Sequence, residues 1–357
     1  MSDILKKIKP TVRAISAYTL PPYRAAVKIN QNENPFDMPD EIKAEVARRL
    51  ATREWSRYPD FAPASLIERL ATFAEWKPEG TLAGNGSNEL IQAVLTVTVS
   101  EGTRVAIAQP TFTLYRQIVT VLGGAAISVP LTDTLEFDVA AIQTASQDAD
   151  VVIICSPNNP TGCSIDEADV VRIAAGFDGI LVIDEAYHEF SGRTVARLLD
   201  RLPNLIVLRT FSKAMAMAGL RVGYMLSSPE ITREVHKATL PYNLNFLSAT
   251  AAETACEMFD LLRPRIELII RERERLASLL SPISGVEVFR SAANFLLVRT
   301  AREAQDLFEE LHKRDILVRD VSKYPMLSGC VRASVGTPNE NDRLVAALAD
   351  SLKSMEA

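Results

Sequence analysis

The sequence predicts an α/β protein with a large domain built on a mostly parallel sheet between helices, and a smaller α+β domain after it. Three observations lead there. Short, wholly apolar runs recur at residues 105–108, 127–129, 151–154, 180–183 and 205–208, with helical segments between several of them. Strands apolar on both faces belong in a sheet buried on both sides, and alternation with helices is the pattern of parallel strands joined by crossovers. After residue 245 the pattern changes: a charge-laced helix at 263–280 precedes strands at 286–289, 295–298 and 331–335, with helices at about 302–313 and 339–353. That second set reads as an antiparallel or mixed sheet of its own. A chain of 357 residues also suits two domains better than one.

Taken in order, residues 1–35 read as an arm, punctuated by Pro10, Pro21, Pro22 and Pro35. Within it Leu20-Pro21-Pro22-Tyr23 and Asn32-Glu33-Asn34-Pro35 gather hydrogen-bonding side chains, either as turns that dock the arm or as part of a site. Asp40 is placed as the cap of a helix running to about Arg49, with Glu41 in its first turn, where the helix dipole favours negative charge. The chain turns irregular from Trp55 to Pro63, exposing Tyr58, and a second amphipathic helix starts at Pro63, an apt first helical residue. Strand and helix then alternate from about residue 81. The expected division is an arm at 1–35, a large domain at 55–262, and a small domain formed by 36–54 together with 263–357.

Bulk properties exclude several partners. A formal charge of −6, without a long Lys/Arg run, argues against nucleic acid or a membrane surface. No apolar run reaches the length of a membrane span, and the first residues carry no export signal. Cys155, Cys163, Cys256 and Cys330 are scattered, without a CxxC pair or a histidine cluster, so the sequence predicts reduced thiols, no metal and a cytoplasmic protein.

Four features lie at or just after strand ends, where open α/β sheets bind ligands. Gly84-Asn85-Gly86-Ser87-Asn88-Glu89 precedes a helix at 90–99, and such a loop lets backbone amides approach a phosphate at a helix N-terminus. A dinucleotide-binding loop is the rival reading, although Glu89 stands where its third glycine would be. Ser156-Pro157-Asn158-Asn159-Pro160-Thr161-Gly162 follows a strand and is either a turn or a side-chain donor to a cofactor oxygen. Asp184, in Asp184-Glu185-Ala186-Tyr187, ends a buried strand and needs a cation or a hydrogen-bond donor. Finally, Thr210-Phe211-Ser212-Lys213 follows the run at 205–208, and Arg221 comes eight residues after Lys213. A phosphate cradle, a buried carboxylate, an asparagine, a lysine and an arginine at one sheet edge match the needs of pyridoxal 5′-phosphate chemistry.

These motifs, in this order and at these spacings, resemble those of fold-type I pyridoxal-phosphate aminotransferases. Asn32-Glu33-Asn34-Pro35, Arg57-Tyr58-Pro59 and Val331-Arg332-Ala333-Ser334-Val335-Gly336-Thr337 narrow the resemblance to the histidinol-phosphate branch. It covers nearly the whole chain and implies a seven-stranded large-domain sheet. It implies that Lys213 is the Schiff-base lysine and proton shuttle, that Asp184 pairs with the pyridine nitrogen, and that Asn159 and Tyr187 face the phenolic oxygen. The cofactor phosphate would fall to Gly86, Ser87, Asn88, Ser212 and Arg221, and to Tyr58 from a neighbouring subunit, which implies a homodimer with shared sites. Phe112 would stack on the ring, Arg332 would hold the anionic end of the substrate, and Arg319, Tyr23 and Asn34 would complete the substrate side. The implied reaction moves an amino group between glutamate/2-oxoglutarate and histidinol phosphate/imidazole acetol phosphate, in histidine biosynthesis.

Two departures stand out. Ser87-Asn88 replaces an acidic pair, which leaves the cradle to backbone amides and the Ser87 hydroxyl. Phe112 occupies the place of an aromatic that is often tyrosine and cannot supply a phenolic hydrogen bond, while Tyr115 is expected to be a helix-face residue rather than a replacement. The rival activities are an aromatic or broad-specificity aminotransferase, a phospho-amino-acid decarboxylase of the same fold, and a non-catalytic domain.

Overall fold

A computed structural model describes residues 3–17, 19 and 21–354; Met1, Ser2, Tyr18 and Leu20, read above as part of the arm, and residues 355–357, read as the end of the small domain, lie outside the described residues. The arm contributes β1 (Val27–Lys28). A seven-stranded sheet follows from β2 (Thr81–Gly84), β3 (Arg104–Gln109), β4 (Ala125–Pro130), β5 (Val151–Cys155), β6 (Ile180–Asp184), β7 (Leu205–Thr210) and β8 (Gly223–Leu226). Its order is β2-β8-β7-β6-β5-β3-β4, and only β8 runs antiparallel to its neighbours.

The apolar runs behave as their composition requires. Successive side chains of a strand point to opposite faces. Val152, Ile154, Leu181, Ile183 and Val207 feed one core, while Val151, Ile153, Val182, Ile206 and Leu208 feed the other. Each such side chain, fully buried, contributes on the order of 1.5–3 kcal/mol relative to exposure. In β5, β6 and β7 the polar residues, Cys155, Asp184, Arg209 and Thr210, come only at the carboxyl ends, where the strands leave the cores.

The remaining strands are β9 (Val286–Val288), β10 (Phe295–Thr300), β11 (Ile316–Leu317), β12 (Arg319–Asp320) and β13 (Cys330–Ser334). Four of them form an antiparallel sheet in the order β12-β13-β10-β9, and β1 pairs in parallel with β11. The helix Arg263–Leu280 sits where the sequence puts it, and its Leu276 and Leu280 join the core of the small sheet.

Local details differ from the sequence reading. Asp40 is the first residue of the helix Asp40–Leu50, and Pro39 holds the cap position. Pro63 likewise caps the helix Ala64–Phe73 instead of beginning it. Residues 36–54, grouped above with the small domain, also make contacts on the large-sheet side. Met38 and Ile42 share the large-sheet core with Leu66, Leu70 and Ala252, and Arg49 pairs with Glu257 at 2.6 Å.

Candidate active site

A cavity of about 510 Å³ opens between the two sheets, at the carboxyl ends of β5, β6 and β7. Its large-sheet wall holds Ser87, Asn88, Phe112, Asn159, Asp184, Tyr187, Ser212, Lys213 and Arg221. Arg319, Tyr324 and Arg332 close the other side, and residues 30–33 of the arm run between. The four sequence features thus meet in one place.

One end of the cavity is built for an anion. Gly86 precedes the helix Ser87–Thr98 with φ 79° and ψ 160°, a conformation open to glycine, and no side chain caps this helix. A Cβ at Gly86 would lie 2.4 Å from Arg221 Nη2. The arginine itself, at φ 56°, donates from Nη1 to Ser212 Oγ and to the Ala218 carbonyl at 3.0 and 3.1 Å. The Thr210 hydroxyl donates to the same Ser212 Oγ at 3.0 Å. Helix amides, two hydroxyls and a guanidinium therefore converge.

Lys213, half-buried, donates from Nζ to the Gln31 carbonyl at 3.0 Å and stands 5.9 Å from the centre of the Tyr187 ring. Burial, and next the nearby Arg332 charge, pull its ammonium down to about 7. Tyr187 is buried and its hydroxyl accepts from Asn32 Nδ2 at 3.0 Å. The two asparagines after β5 divide their work. Asn158 braces the loop, donating to the Pro110 carbonyl and to Thr161 Oγ1, each at 2.8 Å. Asn159 faces the cavity, where its Oδ1 accepts from Arg332 Nη1.

Asp184 is buried at the end of β6. Its Oδ1 accepts the Ala186 amide at 3.1 Å and its Oδ2 the Tyr115 hydroxyl at 2.6 Å. Burial raises this carboxyl to about 6, the Tyr115 hydrogen bond opposing. The expectation for Tyr115 is corrected here: it lies on a helix, Leu114–Leu122, but its side chain turns inward to the cavity. Phe112 meets its ring edge-on, 5.6 Å between centres.

On the opposite side, Arg319 and Arg332 are paired residues of neighbouring antiparallel strands, β12 and β13. Arg332 donates from Nη2 to the Asn30 carbonyl at 2.8 Å and lies over the Phe295 ring. Three expected residues fall elsewhere. Asn34 sits behind the lysine, its Nδ2 donating to the Lys213 and Ala214 carbonyls at 3.3 and 3.1 Å, so it holds backbone instead of lining the cavity. Tyr23 packs against Phe308 and His312, with ring centres 5.3 and 5.1 Å away, and is not part of the cavity wall. Tyr58 is 82% exposed, stacked on Tyr242, and does not reach the cavity of its own chain. Residues 30 and 31 and Tyr324, which the sequence did not single out, do line it.

Residues 24–348 match the family described as aminotransferase class I and II. The chain belongs to that family. It is 38% identical over 347 residues to a histidinol-phosphate aminotransferase of Chlorobaculum parvum, covering 96% of this chain and 98% of the relative. A second relative of that name, from Chlorobaculum tepidum, is 37% identical over 95% of this chain and 98% of its own length. Among solved structures, histidinol-phosphate aminotransferase from Sinorhizobium meliloti in complex with pyridoxal 5′-phosphate superposes with a TM-score of 0.89 at 26% identity, covering 98% of both chains. The site described above fits such a group on its own evidence. Asp184 is a buried carboxylate without a side-chain cation partner among the described residues, and Gly86 leaves clear the space that a Cβ would fill beside Arg221.

Proposed function

We propose that this protein is a pyridoxal 5′-phosphate-dependent aminotransferase acting between glutamate/2-oxoglutarate and histidinol phosphate/imidazole acetol phosphate. The observation that carries the reading is the pairing of Arg319 with Arg332 across β12 and β13, both facing a cavity whose far end already has an anion cradle. Like charges directly opposite on a sheet destabilise it. Two separate cationic ends in one cavity suit two anions at once: the cofactor phosphate at Ser87, Ser212 and Arg221, and the phosphate or carboxylate of the substrate at the paired arginines. An arginine's planar fork pairs with either anion, so one pocket can serve both substrates in turn. The relatives' shared name supports the same substrate.

When bound, pyridoxal 5′-phosphate supplies a ring that delocalises the charge left on the substrate's α-carbon. Asp184 would hold the ring nitrogen, Asn159 and Tyr187 the phenolic oxygen, and Phe112 the ring face. Lys213 would anchor the cofactor. Its Nζ would accept the α-proton as general base, a role that suits an amine whose pKa lies near 7. Asn34 fixes the backbone from which that amine projects.

The same reading includes a cytoplasmic homodimer. Tyr58 and Phe61, at 82 and 66% exposed, pack on Tyr242, and Trp55, 79% exposed, lies against Phe246; together they make an aromatic surface of the kind a second copy would cover, and Tyr58 would then reach the partner's phosphate cradle. No helix among the described residues is long and apolar enough to cross a membrane. We assign residues 36–262 to the large unit and 263–354, with β1, to the small one. The test is a panel of amino donors mixed singly with the cofactor-loaded protein while the visible spectrum is followed. Glutamate and histidinol phosphate are expected to bleach the visible band. Bleaching by aromatic amino acids alone would overturn the substrate assignment, and carbon dioxide release would point to a decarboxylase.

A further inference from the structure

Tyr115 is a buried polar side chain of this cavity that the roles given above leave without a task. It lies on the first turn of the helix Leu114–Leu122, where the sequence alone gives an outward and an inward face equal claim. Phe112, three residues before it, brings no hydroxyl, and the hydroxyl at Tyr115 is spent on the carboxylate, 2.6 Å from Asp184 Oδ2. The Ala186 amide occupies Oδ1 at 3.1 Å, so two donors from two different elements fix the plane of the carboxylate. Each oxygen of an ionised carboxylate can accept more than one hydrogen bond, so a further donor entering from the cavity can still be accepted.

Resting on the reading that Asp184 receives the cofactor's ring nitrogen, we propose that Tyr115 is a positioning residue that holds Asp184 ionised and aimed into the cavity, ready to pair with a cationic heterocycle. The reason is physical. A buried carboxylate with few donors tends to take up a proton, and a neutral acid no longer holds a pyridinium. A short phenolic hydrogen bond favours the ionised form. The ionisable groups facing Asp184 are Tyr115 from its helix, Cys155 from the end of β5, Glu185 and Tyr187 from its own segment, and Lys213 and Arg332 across the cavity. Burial pushes Tyr115, Cys155 and Tyr187 up, so all three stay neutral around pH 7, and Glu185 is paired with Arg209 at 2.9 Å. That leaves Asp184 and Lys213 to titrate near neutrality, and Lys213 is common to every variant below.

The test is the affinity of the cofactor-free protein for pyridoxal 5′-phosphate, measured from pH 5 to pH 8 for the wild type, Tyr115→Phe and Asp184→Asn. In Tyr115→Phe the pH below which affinity falls is expected to move up by about one unit, because one hydrogen bond to a charged group is worth roughly a tenfold change in proton affinity. Site-specific replacement of Tyr115 by a ring-fluorinated tyrosine, a stronger donor of the same shape, is expected to move it down, and covers the case of a Tyr115→Phe protein that does not fold. A merely structural tyrosine would lower thermal stability in both variants and leave that pH unmoved, which overturns the proposal. If Asp184→Asn keeps the affinity and pH profile of the wild type, the ring-nitrogen reading itself fails, and the role of Tyr115 with it.

Discussion

Replacing Gly86 with alanine tests the anion cradle at its tightest point. Two consequences follow from the geometry. A side chain at φ 79° and ψ 160° is strained by about 1–3 kcal/mol, a loss that appears in the stability of the protein. The new Cβ would also lie 2.4 Å from Arg221 Nη2 and 3.1 Å from its Cζ. Ordinary contact needs roughly 3.5 Å, so the guanidinium must withdraw by about 1 Å. It cannot do so freely, since Nη1 is bonded to Ser212 Oγ and to the Ala218 carbonyl at 3.0 and 3.1 Å. A charge-assisted hydrogen bond is worth about 1.5–3 kcal/mol, which converts to a roughly ten- to hundredfold weaker hold on pyridoxal 5′-phosphate. Gly102→Ala is the control: Gly102 has φ 91° but nothing within 4 Å of a Cβ, so it should lose stability alone. Titration of the cofactor-free proteins and their urea unfolding give both numbers. A Gly86→Ala protein that is destabilised like the control yet binds cofactor as well as the wild type would refute the placement of Arg221 at the phosphate.

Lys213→Ala is expected to abolish turnover and the visible band of the bound cofactor, and a retained band would remove Lys213 from its role. Arg319→Met should leave stability unchanged or raise it by a few tenths of a kcal/mol, by relieving its opposition to Arg332, while the Michaelis constant for histidinol phosphate rises about tenfold or more; a lower stability with unchanged Michaelis constants would count against the paired-arginine argument. Arg209→Met strands the buried Glu185 carboxylate, and should cost about 3–5 kcal/mol in denaturant unfolding. The rate at which cofactor-free protein captures pyridoxal 5′-phosphate should rise with pH through about 7 and level off above it, because the neutral amine is the nucleophile and burial holds Lys213 down. A rate still climbing at pH 10 would mean an unshifted lysine.

The same depressed amine has a second consequence whose sign can be worked out. In the unfolded chain Lys213 keeps its proton up to about 10.4, whereas in the folded chain it releases it near 7. Between those values the unfolded state binds more protons, so stability of the cofactor-free protein rises with pH there. Asp184 works the other way over a lower window: its folded value of about 6 lies above the unfolded 3.8, so its contribution is full below 3.8 and is lost as pH rises through 6.

Long apolar periodicity was the part of this protein open to reading from its residues. The runs at 151–154, 180–183 and 205–208 are strands because nothing but a doubly covered sheet accommodates them, and the helix Arg263–Leu280 announces itself by length and charge pattern. No long apolar run marks β2 or β8 in the sequence. Each has only four residues and glycine at one end, and β8 begins with Gly223 because a Cβ there would lie 2.3 Å from the Ser87 amide nitrogen. In the site, residue types that bring their own chemistry, Lys213, Asp184 and Arg221, were legible from their place at strand ends. Tyr115 was not, because a tyrosine on a nine-residue helix carries no mark of which face is inward until Asp184 is set beneath it. Asn34 and Tyr23 lie away from the cavity of their own chain, because a polar or aromatic residue in an arm says that it will be bonded, but not to what.

The contacts across the cavity indicate why the arm and the small sheet must be in place before the site exists. Arg332 of β13 donates to Asn159 after β5 and to the Asn30 carbonyl of the arm. Asn32 of the arm donates to Tyr187 after β6, accepts from Ser334 of β13 at 3.2 Å, and has its carbonyl held by Asn294 Nδ2 at 3.1 Å. Every group proposed to touch the cofactor's phenolic oxygen is therefore tied, through one hydrogen bond, to a segment far away in sequence. Such bonds are each worth about 1 kcal/mol net, too little to assemble the two units but enough to fix the angle of a side chain once packing has done so. The arm is consequently a structural member of the site even though Tyr23 and Asn34 do not line the cavity, and loosening it should misdirect Tyr187, Lys213 and, through Arg332, Asn159 before it disturbs Asp184, whose partners are Tyr115 and the Ala186 amide.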